Sequence, residues 1–204
     1  MVRKILFPLL VLAALALAGC GDYGQVEQGR TVAFDKAAST VTIIKDAGID
    51  AKNPQYTVLP AHTFKLPDDP AERGADPVAG LRINLDVKTN AITMYNPKTQ
   101  QFEKLSFTML QKEENVSVRR QHPLVYDATT KKARPFPVVD AEKKTVTIYS
   151  GRQELYTVIK LSDEDFAKYG EKDWNAGHDV RIYYKEPGKA LRYMNVSTTD
   201  ITRR

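Results

Sequence analysis

Three histidines, two acidic clusters and a single cysteine are the side chains here with the most direct chemistry, and their spacing narrows what they could do. His62, His122 and His178 lie in separate segments. None falls in an HxH, HxxxH or HExxH spacing, so no short stretch brings two imidazoles to one metal, and each reads as a polar loop residue. Asp68-Asp69 and Asp163-Glu164-Asp165 offer oxygen ligands but lack the Asp-x-Asp-x-Asp-Gly spacing of a dedicated calcium loop; solvated acids at a loop or helix start account for them. No serine stands in a Gly-x-Ser-x-Gly elbow, and no GxxxxGK[ST] loop is present to hold a nucleotide. With one cysteine there is no intrachain disulfide, CxxC redox pair, CxxCH haem attachment or multi-thiolate zinc site. The expectation is a protein that is not an enzyme and carries no cofactor or metal. Its rival is a metal- or cofactor-assisted periplasmic enzyme, or an accessory subunit of an envelope enzyme complex, built from residues that meet only in space.

Aromatic residues beside cations suggest binding instead. Tyr149, Tyr156, Tyr169, Trp174, Tyr183 and Tyr184 fall close together in the chain, alongside Arg152, Arg181 and Arg192. Strand parity puts Tyr184 on a buried face with Val180 and Ile182, and Tyr183 on the outer face with Arg181. Tyr183, Arg181, Arg192 and Trp174 are accordingly the candidate ligand-binding residues, with the alternative that Tyr183 packs beneath a loop or pairs across strands. The formal charge is +5, of which Arg3 and Lys4 supply two, leaving +3 on the rest. Acids and bases are interleaved, without the cationic stripe that nucleic acid calls for.

The lone thiol has its own explanation. Met1 to Lys4 carry two cations, Ile5 to Ala18 form an unbroken apolar run, and small residues precede Cys20, which is the layout of a signal peptide and too short for a comfortable membrane span. Leu17-Ala18-Gly19-Cys20 resembles the lipobox of bacterial lipoproteins. The resemblance implies that the Cys20 sulfur carries diacylglycerol, that the chain is cut after Gly19, and that the new amino group is acylated as well, commonly with palmitate. Several acyl chains, at about 0.8 kcal/mol per CH₂, make a slow-release anchor. An ordinary cleaved signal that happens to contain cysteine is the alternative. In some proteobacteria an Asp after the cysteine retains the protein in the inner membrane; here Gly21 stands there and Asp22 follows, which favours the outer membrane, with the chain facing the periplasm. In that compartment a glycan, such as a peptidoglycan fragment, or another envelope protein is the fitting ligand or partner.

The elements that would position these residues read as β. In Thr40-Val41-Thr42-Ile43 apolar side chains alternate with threonines, and Asp35 followed by four polar or small residues suits a hairpin loop. Leu81, Ile83 and Leu85 are answered by Ile92 and Met94; Val180, Ile182 and Tyr184 are answered by Leu191 and Tyr193 through the turn Glu186-Pro187-Gly188-Lys189. Ser162 and Asp165 can cap a short helix that Gly170 can end, whereas Pro67, Asp68, Asp69 and Pro70 read as loop.

A repeat underlies this pattern. "FDKAASTVTII" from Phe34 and "VDAEKKTVTIY" from Val139 match at an offset of 105, "YTV" at Tyr56 and Tyr156 at 100, and "RI" at Arg82 and Arg181 at 99. Two copies of one β-β-β-α-β-β unit are expected. The organisation read from the sequence is a signal peptide over 1–19, a lipidated tether over 20–29, a first β-barrel repeat over 30–98, a connecting segment over 99–133 and a second repeat over 134–204. In the connecting segment Phe102, Leu105, Met109 and Leu110 suit a helix face, Leu105 to Met109 equally a strand, and Val116-Ser117-Val118 a strand. The element order is that of the OB-fold, and Gly29-Arg30-Thr31-Val32 and Gly177-His178-Asp179-Val180 resemble OB-type sequences. An SH3-like barrel or one fused β-sandwich would use the same alternation.

As a whole, "GCGDYGQVEQGRTVAFDKAASTVTII" resembles a family of uncharacterised lipoproteins from sulfate-reducing proteobacteria. The resemblance implies a lipobox, an Asp-x-Gly tether and no assigned activity or site.

Overall fold

The protein is described by a computed structural model over residues 23–48, 50 and 54–199. The signal segment, Cys20 and the first residues of the tether lie outside the described residues. The strands are β1 (Gln25–Asp35), β2 (Thr40–Asp46), β3 (Tyr56–Lys65), β4 (Arg82–Asp86), β5 (Ala91–Asn96), β6 (Gln101–Ser106), β7 (Thr108–Glu113), β8 (Tyr126–Asp127), β9 (Lys132–Ala133), β10 (Val138–Asp140), β11 (Thr145–Ser150), β12 (Leu155–Lys160), β13 (Asp179–Tyr184) and β14 (Ala190–Asn195). One short helix, α1 (Asp163–Ala167), precedes β13, and 3-10 turns occupy Pro70–Glu72 and Glu171–Trp174.

The β class expected from the alternating pattern is what the chain adopts. The strands form a five-stranded antiparallel sheet in the order β14-β13-β1-β2-β3, a four-stranded sheet β10-β11-β12-β7, a three-stranded sheet β4-β5-β6 and the pair β8-β9. None of these sheets closes into a barrel, so the expected pair of closed tandem barrels is corrected to several open sheets sharing one interior. The physical reason is strand exchange. β13 pairs with β1 from Gln25↔Tyr184 to Arg30↔Asp179, so the first sheet takes strands from both of the halves expected from the sequence. The five-stranded sheet curls until Lys65 N–H at the end of β3 donates to Gly188 O in the β13–β14 turn (2.8 Å), and only isolated parallel bridges, Lys65↔Lys189 and Arg73↔Tyr193, span the remaining gap.

Two apolar clusters fill the interior. The larger joins Val32 and Ile44 of the five-stranded sheet to Ile83, Ile92 and Met94 of the three-stranded sheet and Val146, Ile148 and Ile159 of the four-stranded sheet, with Trp174 among them. The smaller lies inside the curl and holds Val41, Ile43, Phe64, Val180, Ile182 and Tyr193. Adjacent Ile43 and Ile44 are both fully buried because side chains alternate across a strand and both faces of β2 are covered.

One turn recurs throughout. Asp35, Asp86, Asn96, Asp127, Asp140 and Ser150 each end a strand and accept from backbone N–H groups two or three residues on, for example Lys88 N to Asp86 Oδ1 (2.9 Å) and Lys143 N to Asp140 Oδ1 (3.0 Å). Four residues after each stands a left-handed residue: Ser39, Asn90, Gln100, Lys131, Lys144 and Glu154, with φ between 49° and 55°. The segments matched at an offset of 105 share this turn, and Asp86 places a third instance between them. The three meanders β1-β2-β3, β4-β5-β6 and β10-β11-β12 are each built on it.

Local expectations fare unevenly. Ser162 Oγ accepts from Asp165 N (3.1 Å) and caps α1 as anticipated, but the helix ends at Ala167 with Lys168 as its C-cap, and Gly170 instead precedes the following 3-10 turn as its N-cap. Leu105 to Met109 is strand with Phe107 between β6 and β7, whereas Val116-Ser117-Val118 is not strand: Val116 is buried and its N–H donates singly to Glu154 O (2.8 Å). The ordered sheet begins at Gln25, inside the segment read as tether.

Candidate ligand groove on the first sheet

The outward face of β1, β13 and β14 carries every second residue of each strand. Register pairs Val26 with Tyr183 and Gln28 with Arg181 across β1–β13, and Tyr183 with Arg192 and Arg181 with Met194 across β13–β14. Further along the sheet this same face runs under the other two sheets through Val32 and Ile44; at its open end nothing described covers it. There Val26, Glu72, Arg181, Tyr183, Leu191, Arg192 and Met194 line a surface groove of about 560 Å³, within the range of small-ligand sites.

Leu191 reaches this face through an irregularity. Sequence parity expects it inward beside Tyr193, but the ladder shifts between Tyr183↔Arg192 and Tyr184↔Ala190, so Leu191 is the extra residue of a β-bulge. Ala190 takes the inner position at 5% exposure and Leu191 stands 39% exposed in the groove. That corrects the expected facing of Leu191.

Tyr183 forms the groove's aromatic wall and rests on the chain entering β1. A Cβ added to Gly24 would lie 2.5 Å from a Tyr183 ring carbon, so Gly24 lets the ring close on the backbone. Arg181 is held by Gln28, whose Oε1 accepts from Nη2 (2.9 Å) and Nε (3.3 Å). The partner is neutral, and among the described residues Arg181 forms no salt bridge. Arg192 is different: Glu72, carried by the Pro70–Glu72 turn, grips its guanidinium through both oxygens, with Nη2 to Oε1 at 3.0 Å. Arg192 holds the Glu72 carboxyl below the usual range, chiefly by that hydrogen bond. The turn is docked on β14 by Gly74 N–H donating to Tyr193 O (2.9 Å), and Asp69 Oδ1 caps it from Ala71 N (2.9 Å). The groove thus offers an apolar floor, one aromatic wall, one self-neutralised ion pair and one unopposed cation.

Three of the four residues picked out by the sequence, Arg181, Tyr183 and Arg192, come together here. Trp174 does not. It is fully buried in the larger cluster, stacked on Phe166 (centroids 6.0 Å) and edge-on to Tyr169 (5.6 Å). It is the last residue of the 3-10 turn that follows α1, and Arg82 Nε donates to its carbonyl (3.0 Å). Sequence reasoning missed Glu72, Val26 and Met194. Parity would have found Val26 and Met194 once the β1–β13–β14 order was known; nothing local signals Glu72, 120 residues from its partner.

The histidines are separate. His62 Nδ1 lies 2.7 Å from Glu27 Oε1, a carboxylate buried inside the curl. His122 accepts from Leu124 N within its own turn (3.3 Å). His178 Nδ1 accepts from Asn195 Nδ2 (3.0 Å), whose other contacts are the carbonyls of Ala75 and Asp76, and burial lowers its pKa against a smaller opposing pull from Asp179. Among the described residues no three of His, Cys, Asp and Glu converge on a point where a metal could sit. Asp165 is engaged by Ser162 and by Lys168 Nζ (2.8 Å).

The chain is thus a mainly β protein with an open, amphipathic groove on the outer face of a curled sheet. The chain belongs to the family described as a domain of unknown function (DUF4881), whose model matches residues 22–204. No curated protein and no solved structure matches the chain.

Proposed function

We propose that this protein is a non-enzymatic envelope lipoprotein, anchored through lipid on Cys20 and facing the periplasm from the outer membrane, that binds a ligand or partner through the groove on its first sheet. The convergence of Arg181, Tyr183 and Arg192 on one outward face carries the reading: an aromatic wall over an apolar floor with a cation at its rim recognises a ligand that has an apolar or ring-shaped body and an anionic group. A glycan fragment or a segment of another envelope protein has that chemistry. The five-stranded sheet reads as an incomplete OB-like barrel. Its order, a three-strand meander with a later hairpin beside the first strand and an isolated parallel bridge from Lys65 at the end of the third strand to Lys189 just before the last, supports this, and OB-type proteins bind on such faces. The shared turns support descent of the meanders from one duplicated unit.

Two measurements test the reading. Intact-mass analysis of the mature product from native membranes is expected to show acylated Cys20 as the first residue. A photo-crosslinker placed at Leu191 in living cells is expected to give a discrete adduct that Tyr183→Ala or Arg181→Ala removes. An unmodified Cys20 sinks the anchor; adducts indifferent to both substitutions sink the groove.

A further inference from the structure

We infer that the groove is a second membrane contact and that its occupant is the headgroup region of an anionic phospholipid in the bilayer that holds the chain. This deepens the functional reading above and rests on it for the anchor.

Reach comes first. Tyr183 is seated on Gly24, and Val26 lines the groove six residues after Cys20, so at about 3.5 Å per residue the anchoring sulfur is within about 20 Å of the groove. A ligand site at that distance from a lipid anchor faces the bilayer surface before it faces anything else.

Surface chemistry comes second. Six large apolar residues stand exposed among the described residues, and three of them are grouped here: Val26 (63%) and Leu191 (39%) in the groove, and Tyr23 (89%) in the chain leading to it. Tyr23 and Tyr183 are the amphipathic rings that settle at a membrane–water boundary, where the ring is apolar and the hydroxyl wet. The bulge at Leu191 adds an apolar side chain to a face that strict alternation would leave to Arg192.

Charge comes third. Glu72 cancels Arg192, which leaves Arg181 as the groove's net charge, held by a neutral amide and so available to a phosphate. A carbohydrate without acid groups makes no use of that cation. A lipid phosphate does, with the upper acyl chain lying over Val26, Leu191 and Met194. The anchor supplies residence and the groove supplies orientation: one tethered point leaves the domain free to swing, and a second fixes which face meets the membrane.

The test uses the full mature chain, extracted in detergent and reconstituted into vesicles of phosphatidylcholine alone or mixed with phosphatidylglycerol. Leu191→Trp reports contact through quenching by headgroup spin-labelled lipid; Trp174, fully buried, gives a constant background. Quenching is expected with phosphatidylglycerol and weak without it. In the Leu191→Trp background, Arg181→Gln should lower the contacting population by roughly fivefold, the equivalent of about 1 kcal/mol for one cation at an anionic surface, and Arg181→Lys should retain most of it. Near-ultraviolet circular dichroism confirms that the variants are folded. Equal quenching on both vesicles overturns the anionic headgroup, and no quenching on either overturns the membrane contact. Intact mass on the same preparation separates the two readings: lipidated Cys20 without quenching removes the groove contact alone, and quenching with unmodified Cys20 removes the anchor while supporting the groove.

Discussion

Asp179 shows how much a single side chain organises here. Its Oδ1 accepts from Tyr56 Oη (2.6 Å) and lies 3.5 Å from Arg30 Nε, while Oδ2 lies 3.4 Å from Arg152 Nη2, so one carboxylate ties β1, β3 and the β11–β12 turn together. Arg30 also sits 4.0 Å above the Tyr56 ring and donates to Ile83 O (2.9 Å). Burial, together with the neighbouring carboxylate, pushes the Tyr56 phenol well above its ordinary range, so it stays a donor. Asp179→Asn leaves the largely enclosed Arg30 guanidinium, and the exposed Arg152, without their counter-charge and should cost about 2 kcal/mol in urea unfolding. An unchanged midpoint would show the hub to be decorative. His178 next door gives a pH signature. Folded, its pKa lies below the ordinary 6.5 because of burial, and Asn195 donates to a ring nitrogen that must be unprotonated. From about pH 6.5 down to the folded value the unfolded chain binds the extra proton, so stability falls as pH falls through that window. Thermal midpoints across it should decline, and His178→Gln, which keeps an acceptor but cannot titrate, should flatten the decline.

The hairpin turn is the unit from which the sheets are made, and it was legible. Asp followed by four polar or small residues identified the loop at Asp35, and the same reading applies at Asp140; Asn96 and Ser150 carry it with weaker acceptors. Its left-handed position was not legible, because Ser, Asn, Gln, Lys and Glu occupy it in place of glycine. Those side chains are strained there, so Gln100→Gly should raise stability by about 0.5–1 kcal/mol, and Asp86→Ala should lower it by about 1 kcal/mol through the loss of the turn's side-chain acceptor. Chemical denaturation of the two variants decides the matter: the two shifts must have opposite signs. The bulge at Leu191 escaped prediction for a related reason. Parity counts residues and cannot see where a ladder slips, so Leu191 was assigned to the wrong face while Tyr193, beyond the slip, was assigned correctly.

At the scale of the whole molecule, the β class, most strands and three groove residues could be read from alternation and composition. Strand partnership could not, because hydrogen bonding between β1 and β13 links residues some 150 positions apart and leaves no local trace. Even so, the two motifs Gly29 to Val32 and Gly177 to Val180, far apart in the chain, meet in the structure. Arg30 pairs with Asp179 across the ladder, Thr31 N–H donates to His178 O (2.9 Å), and Gly177, at φ 75°, sits where any side chain would strike the Thr31 carbonyl. Trp174 was misread for the same reason: a large aromatic beside cations looks like a platform until its surroundings are known. Trp174→Ala should cost about 3–5 kcal/mol and lower the unfolding midpoint without touching the groove, which a retained Leu191 crosslink would register.

The pairing of β1 with both β2 and β13 also sets an order of events. A chain that emerges amino end first presents β1 at the outset, but one of its two neighbours arrives only with the last strands. Until then one side of β1 has open amides and carbonyls, and half of the smaller cluster is missing. Completion of the first sheet therefore waits for the carboxyl-terminal hairpin, which makes late truncations far more damaging than their length suggests.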